Sequence, residues 1–202
     1  MKIKIIGETM NGNEKFILNN TELNFGILDF WKSKYSNIYN MQEVIAEFLV
    51  EKALGIDKAQ NIDYWTLYDI LYRNHRIEIK QTSYYHSWNE NSKISKVRRF
   101  GISMANSNYE FADGENKYER QNDIYVFCLN TGETRADSNP LDLDNWEFYV
   151  VPTSVINEKC GSNKTIGLKR VREIGENVSW HDIKKKIDFI IDNKYKNDMN
   201  KF

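Results

Sequence analysis

Hydrophobic and polar residues alternate along this chain with two different periods, and the change of period divides it into helical and extended parts. Over Met41–Leu54 the apolar residues Met41, Val44, Ile45, Phe48 and Leu49 recur at i, i+3, i+4, i+7 and i+8, which predicts an amphipathic helix. Asn40 is placed to cap its start, and Gly55 stands where a left-handed C-terminal cap belongs. The period then drops to two. Trp65–Leu71 and Arg76–Thr82 read as paired strands joined by the polar turn Tyr72-Arg73-Asn74-His75. In the second, Glu78 and Lys80 fall on one face and Ile77 and Ile79 on the other. Further strands are predicted over Phe100–Met104, Trp146–Val151 and, at an edge, Thr165–Leu168. Asp123–Leu129 is almost wholly apolar, as a central strand buried on both faces should be.

Pro152 and Thr153 open a short helix, and Ser179–Ile191 closes the chain as a helix with Ile183, Ile187, Ile190 and Ile191 inward. Before the first long helix, Met1–Ile6 reads as a short strand, Met10–Glu14 as a turn and Leu23–Tyr35 as a helix. Together these elements predict an α/β fold with a mixed central sheet flanked by helices.

The 202 residues are enough for one ordinary domain with a sizeable core. We take residues 1–202 as one domain, with its core at about 37–191 and a short appendage at 1–36. Hydrophobic residues make up 41% and charged residues 28%, which excludes a disordered tail or a fibrous chain. No apolar run approaches the roughly 18 residues of a membrane span, and the first residues lack a signal-peptide core, so a cytoplasmic protein is expected. Cys128 and Cys160 have no CxxC spacing and read as buried free thiols. His75, His86 and His181 lack zinc spacing, and neither GxxxxGK[ST] nor GxGxxG is present.

The candidate chemistry sits on the predicted strand pair. Asp69 bends or ends one strand, and Glu78-Ile79-Lys80 lies on the next. Two carboxylates brought across such a ladder repel each other unless a cation stands between them. A hard divalent ion such as Mg²⁺ needs one or two carboxylates, and a lysine ammonium beside it can stabilise charge developing on a phosphate. The structural alternative is an exposed strand face carrying an ordinary salt bridge.

These residues resemble the PD-(D/E)xK nuclease superfamily, the restriction-endonuclease-like fold. The match consists of Asp69 with Glu78-Ile79-Lys80, preceded by the acid-bearing helix Gln42–Gly55. The wording of Glu78–Trp88, Asp123–Leu129 and Pro140–Val150 is similar to an uncharacterised bacterial family within that superfamily. The likeness spans roughly residues 37–191; no proline precedes Asp69, a departure the superfamily tolerates. It implies a Mg²⁺-dependent deoxyribonuclease, with Mn²⁺ able to substitute, of the restriction or defence type. By this resemblance Asp69, Glu78 and the carbonyl of Ile79 hold the metal, and Lys80 positions or polarises the attacking water. A helix acid completes the site. Glu43, Glu47 and Glu51 all repeat along one flank; Glu47 matches the resembled pattern best, although Glu51 lies closer to the predicted apolar face. Gln81 and Glu43 are candidates for a supporting layer. Asp123 reads as a strand-start turn residue.

Net charge is -1, so a nucleic-acid surface must be a local patch. From Arg73 to Arg99 there are seven basic residues against two acids, a local excess of +5, interleaved with Tyr84, Tyr85, His86 and Trp88. Lys93, Lys96, Arg98 and Arg99 are the candidate DNA contacts. Lys164, Lys169, Arg170 and Arg172 form a second cluster, while Lys184-Lys185-Lys186 reads as a solvated helix face. DNA is the expected partner, and cutting both strands makes a homodimer reasonable. The alternative from another class is a nuclease-like module that binds nucleic acid or protein without cleaving.

Overall fold

The computed structural model describes residues 11–57, 68–85, 98–106 and 118–199, the last six by backbone alone. The predicted strand at Met1–Ile6 and the residues Trp65, His86, Trp88, Lys93 and Lys96 lie outside the described residues. The chain divides into two compact units, residues 1–41 and 42–202.

The first unit is a hairpin of β1 (Lys15–Leu18) and β2 (Thr21–Gly26), followed by α1 (Ile27–Lys34). The helix expected from Leu23 therefore begins four residues later, and residues 23–26 are extended. Asn19 and Asn20 take φ of 51° and 61°, the left-handed pair that closes a tight hairpin and that asparagine tolerates. That turn commits both flanking segments to pairing and overrides the weak helical pattern.

In the second unit, α2 (Gln42–Leu54) leads to β3 (Ile70–Tyr72) and β4 (His75–Ser83). Arg73 and Asn74, at φ 48° and 62°, make the two-residue turn between these strands. The order continues through β5 (Arg99–Gly101), β6 (Ala105–Asn106), β7 (Tyr118–Glu119), β8 (Ile124–Asn130), β9 (Trp146–Pro152) and α3 (Thr153–Cys160). It ends with β10 (Thr165–Gly167), α4 (Leu168–Ile174), β11 (Glu176–Val178) and α5 (Ile183–Met199). The central sheet is mixed and five-stranded, in the order β11-β9-β8-β4-β3. Only β4 and β8 run parallel. Every residue of β8 is buried, as its apolar run requires of a central strand. The α/β class with a mixed sheet is thus present, and β6, β7, α4 and β11 are additions to the order predicted for this unit.

Helices α2 and α5 cover one face through Ala46, Val50, Ile77, Ile79, Val126, Ile183 and Ile187. The other face carries α3, α4 and a separate ribbon of β5 and β10, packed through Tyr125, Phe127, Ile156, Phe100 and Val171. The parity of β4 sorts its side chains as expected: the isoleucines enter the first core, and Glu78 and Lys80 take the second face. Both cysteines are buried free thiols. Among the described residues, no helix is long and apolar enough to cross a membrane.

One expectation about α2 fails. Val44 and Phe48 are each 52% exposed, whereas Gln42, Ala46, Val50 and Leu54 are buried. The helix is rotated so that small Ala46 meets the sheet, because a close approach of helix to strand admits small side chains better than large ones. Asn40 ends a 3-10 turn (Ile38–Asn40) two residues before the start of α2. The C-terminal cap is as expected: Gly55 has φ +77°, its N–H donates to the Lys52 carbonyl at 3.1 Å, and the Ile56 N–H donates to that of Glu51 at 3.0 Å.

Candidate active site

The site forms where β3 stops. The ladder pairs Ile70 with Ile77, and the backbone N–H of Asp69 also donates to the Ile77 carbonyl, at 3.0 Å. Asp69 and Ile70 thus face one residue, the two-against-one count of a β-bulge, which bends a strand and re-aims a side chain. The Asp69 carboxylate accepts the N–H of Ile79 at 2.6 Å. In an extended strand the N–H and C=O of one residue project to the same edge. The Ile79 carbonyl therefore shares with Asp69 the edge that β3 no longer covers.

Glu78 and Lys80 reach this edge from one face, and the Lys80 ammonium contacts a Glu78 carboxylate oxygen. Glu47, half-buried on α2, feels the charges of Asp69 and Lys80. The electrostatics tie the four together. Burial pushes the Glu78 carboxyl above its ordinary range, the charge of Asp69 adds to this, and Lys80 opposes it. Asp69 is also raised, chiefly by burial, against the opposing Ile79 N–H and Lys80. Glu47 is pushed up to about 7 by burial and by repulsion from Asp69 and Glu43, with Lys80 opposing and Glu51 adding to the rise. Burial works against the Lys80 ammonium, but the charge and hydrogen bond of Glu78, then Asp69 and Glu43, hold it above the usual lysine range.

The rotation of α2 distinguishes the helix acids. Glu47 is half-buried and feels Asp69 and Lys80; Glu43 is exposed at the rim. Glu51 is raised by burial, with Lys52 opposing. Gln81 points to α2: its amide donates to Gln42 Oε1 at 2.8 Å and to Ser83 Oγ at 2.7 Å, and the Ser83 hydroxyl donates to the same Gln42 oxygen. This clasp ties the first turn of α2 to β4. Gln42 carries no signal in the sequence, because its role exists only in the tertiary contact. Tyr125, beside Glu78 in the parallel register, is equally silent within its apolar run; burial and then the Glu78 charge push its hydroxyl to about 12.

Asp123 is structural: its carboxylate accepts the Arg76 N–H at 3.1 Å, and its own N–H donates to the Arg76 carbonyl at 2.8 Å. Tyr84 and Tyr85 are buried and belong to the packing rather than to a stacking platform. Arg98 is anchored, its Nε donating to the Ser83 carbonyl and Nη2 to that of Tyr84 at 2.6 Å. Arg99 is exposed on β5.

Among the described residues, no group of three or more His, Cys, Asp and Glu side chains is close enough to hold a metal ion. A magnesium site asks for less, namely one or two carboxylates, backbone oxygen and water. Asp69, Glu78 and the Ile79 carbonyl are donors of the kind such a site uses. Burial raises both carboxyls, and the charge of Asp69 adds to the rise at Glu78; a cation beside them would act in the opposite direction and favour their ionised forms. No protein-family description matches the chain, and no curated protein matches it.

Proposed function

We propose that the chain is a Mg²⁺-dependent phosphodiester hydrolase of the PD-(D/E)xK, restriction-endonuclease-like kind, acting on DNA as an endonuclease. The observation that supports this reading is the Asp69 carboxylate on the Ile79 N–H, between Glu78 and Lys80 in sequence, with the Glu78–Lys80 ion pair on the same strand and Glu47 coupled to Asp69 and Lys80 by charge. Asp69, Glu78 and the Ile79 carbonyl would hold the metal, which would supply positive charge to the phosphate and lower the pKa of a water. The residues divide the remaining work. Lys80, pinned by Glu78, presents its ammonium to the charge that grows on the phosphate oxygens. Glu47, poised near neutrality, takes the proton of the attacking water. Water adds to phosphorus in line, the bond to the leaving oxygen breaks, and a 3′-hydroxyl and a 5′-phosphate result. A duplex cut on both strands needs two such sites, so a homodimer fits this activity.

Supercoiled plasmid incubated with Mg²⁺, and in parallel with EDTA, tests the proposal. Nicking is expected only with the metal, and Asp69→Ala and Lys80→Ala are expected to abolish it. Nicking by both variants at the wild-type rate would overturn the assignment. The second reading, a nuclease-like module that binds without cleaving, is favoured by the absence of a three-acid group among the described residues. It predicts an intact plasmid under every condition.

A further inference from the structure

Two basic clusters about 65 residues apart in sequence meet on the second face of the sheet. Strand β5 pairs with β10, setting Arg99 against Gly167, and α4 starts at the next residue. Between them lies a cleft of about 520 Å³ lined by Arg98, Arg99, Lys169, Arg172 and Glu173. Its charges are unequal in availability. Arg172 is balanced by Glu147 at 2.8 Å and braced by the hydroxyls of Tyr149 at 3.0 Å and Tyr84 at 3.4 Å. The acid of the cleft, Glu173, is balanced by Arg170 at 2.8 Å. Among the described residues this leaves Arg99 and Lys169, both exposed, as cations without a carboxylate partner. The cleft is therefore a cationic groove with a rigid floor.

Its position is fixed relative to the candidate site. Arg98 is bonded to the carbonyls of Ser83 and Tyr84, at the end of the strand that carries Lys80. Tyr84 lies on the Lys80 side of that strand, four residues on, which is about 13 Å at the rise of a strand. That distance is roughly four nucleotide rises of a DNA strand. We propose that the cleft between β5 and α4 binds a backbone phosphate of duplex DNA, several nucleotides from the bond to be cut, through Arg99 and Lys169. The inference rests on the hydrolase reading for its ligand and adds to it a direction, since the DNA leaves the site along β4 toward Tyr84.

Fluorescence anisotropy of the full chain on a labelled DNA duplex, titrated with salt in EDTA, reads the binding without cleavage. Arg99→Gln/Lys169→Gln should weaken binding about tenfold and flatten the slope of log K against log salt by about 0.9, the contribution of one phosphate no longer neutralised. Glu173→Gln should change both in the opposite direction. Lys185→Gln, on α5 across the sheet, should leave the slope unchanged. Unchanged affinity and slope in the double variant would overturn the cleft, even if the wild type nicks plasmid. So would a Lys185→Gln slope as flat as that of the double variant, or a wild type that does not bind the duplex at low salt. A wild type that binds with the expected slope but never nicks in Mg²⁺ supports the cleft and removes the hydrolase reading alone.

Discussion

Replacing Glu47 by glutamine removes a charge that the fold tolerates only at a cost. The Glu47 carboxyl moves from 4.5 to about 7, chiefly through burial and then through Asp69. At 1.36 kcal/mol for each pH unit, a shift of that size corresponds to about 3 kcal/mol. The side chain is only half-buried, and solvent screening reduces the figure to about 1–2 kcal/mol. The sign follows from proton linkage. A carboxyl raised on folding binds its proton more tightly in the native state, so it costs nothing below the unfolded value. The cost grows as pH rises through the window from 4.5 to about 7, and it is complete above that. A neutral glutamine amide in this place would resemble the protonated acid at every pH. The Glu47→Gln variant should therefore be more stable than the wild type by about 1–2 kcal/mol at about pH 8, with the gain fading below about pH 5. Urea unfolding in EDTA across this range, read from midpoints at constant m, measures it. Added Mg²⁺ should narrow the gap, because a cation bound by the native state stabilises the wild type by mass action. A gain that is the same at all pH values, or a loss at about pH 8, would refute the placement of Glu47 against Asp69. The same variant should lose plasmid nicking, the exchange of activity for stability that a charged site implies.

Three further outcomes follow from the packing. Gln42→Leu removes the shared acceptor of the clasp and strands the Ser83 hydroxyl, at an expected cost of about 1–3 kcal/mol in thermal or urea unfolding. Adding Ser83→Ala should recover part of that loss, whereas strict additivity would show that the clasp does not exist. Gly132→Ala would set its Cβ 2.3 Å from the Cα of Ser138, which is backbone and cannot swing aside, so a loss of at least about 2 kcal/mol is expected. Gly101→Ala meets nothing within 4 Å and should be close to neutral in the same assay. The Cys128 thiol is fully buried, and burial, then the charges of Asp69 and Glu47, push its pKa well up. A thiol reagent should label it only at the rate of global unfolding, and labelling faster than that would show local opening of β8.

Local periodicity carried a large part of the fold. Alternation in Arg76–Thr82 placed Glu78 and Lys80 together, the apolar run at Asp123–Leu129 marked the central strand, and isoleucines at four-residue spacing marked α5. Each of these signals is a property of one segment, written in its own side-chain period. Gly55 was equally legible, because a left-handed cap is a local backbone demand. Other features needed contacts between distant segments. The rotation of α2, which buries Ala46 and leaves Val44 and Phe48 exposed, depends on how closely that helix approaches β4. The same rotation makes Glu47 the helix acid that feels the charge of Asp69. Nothing near Asp69 announces the bulge that aims it, nor near Gln42 the clasp that seats the helix. Arg99 and Lys169 come together only because β5 pairs with β10. A period states that a segment has two faces; what covers each face, and at what depth, is settled when elements far apart in the chain pack against one another.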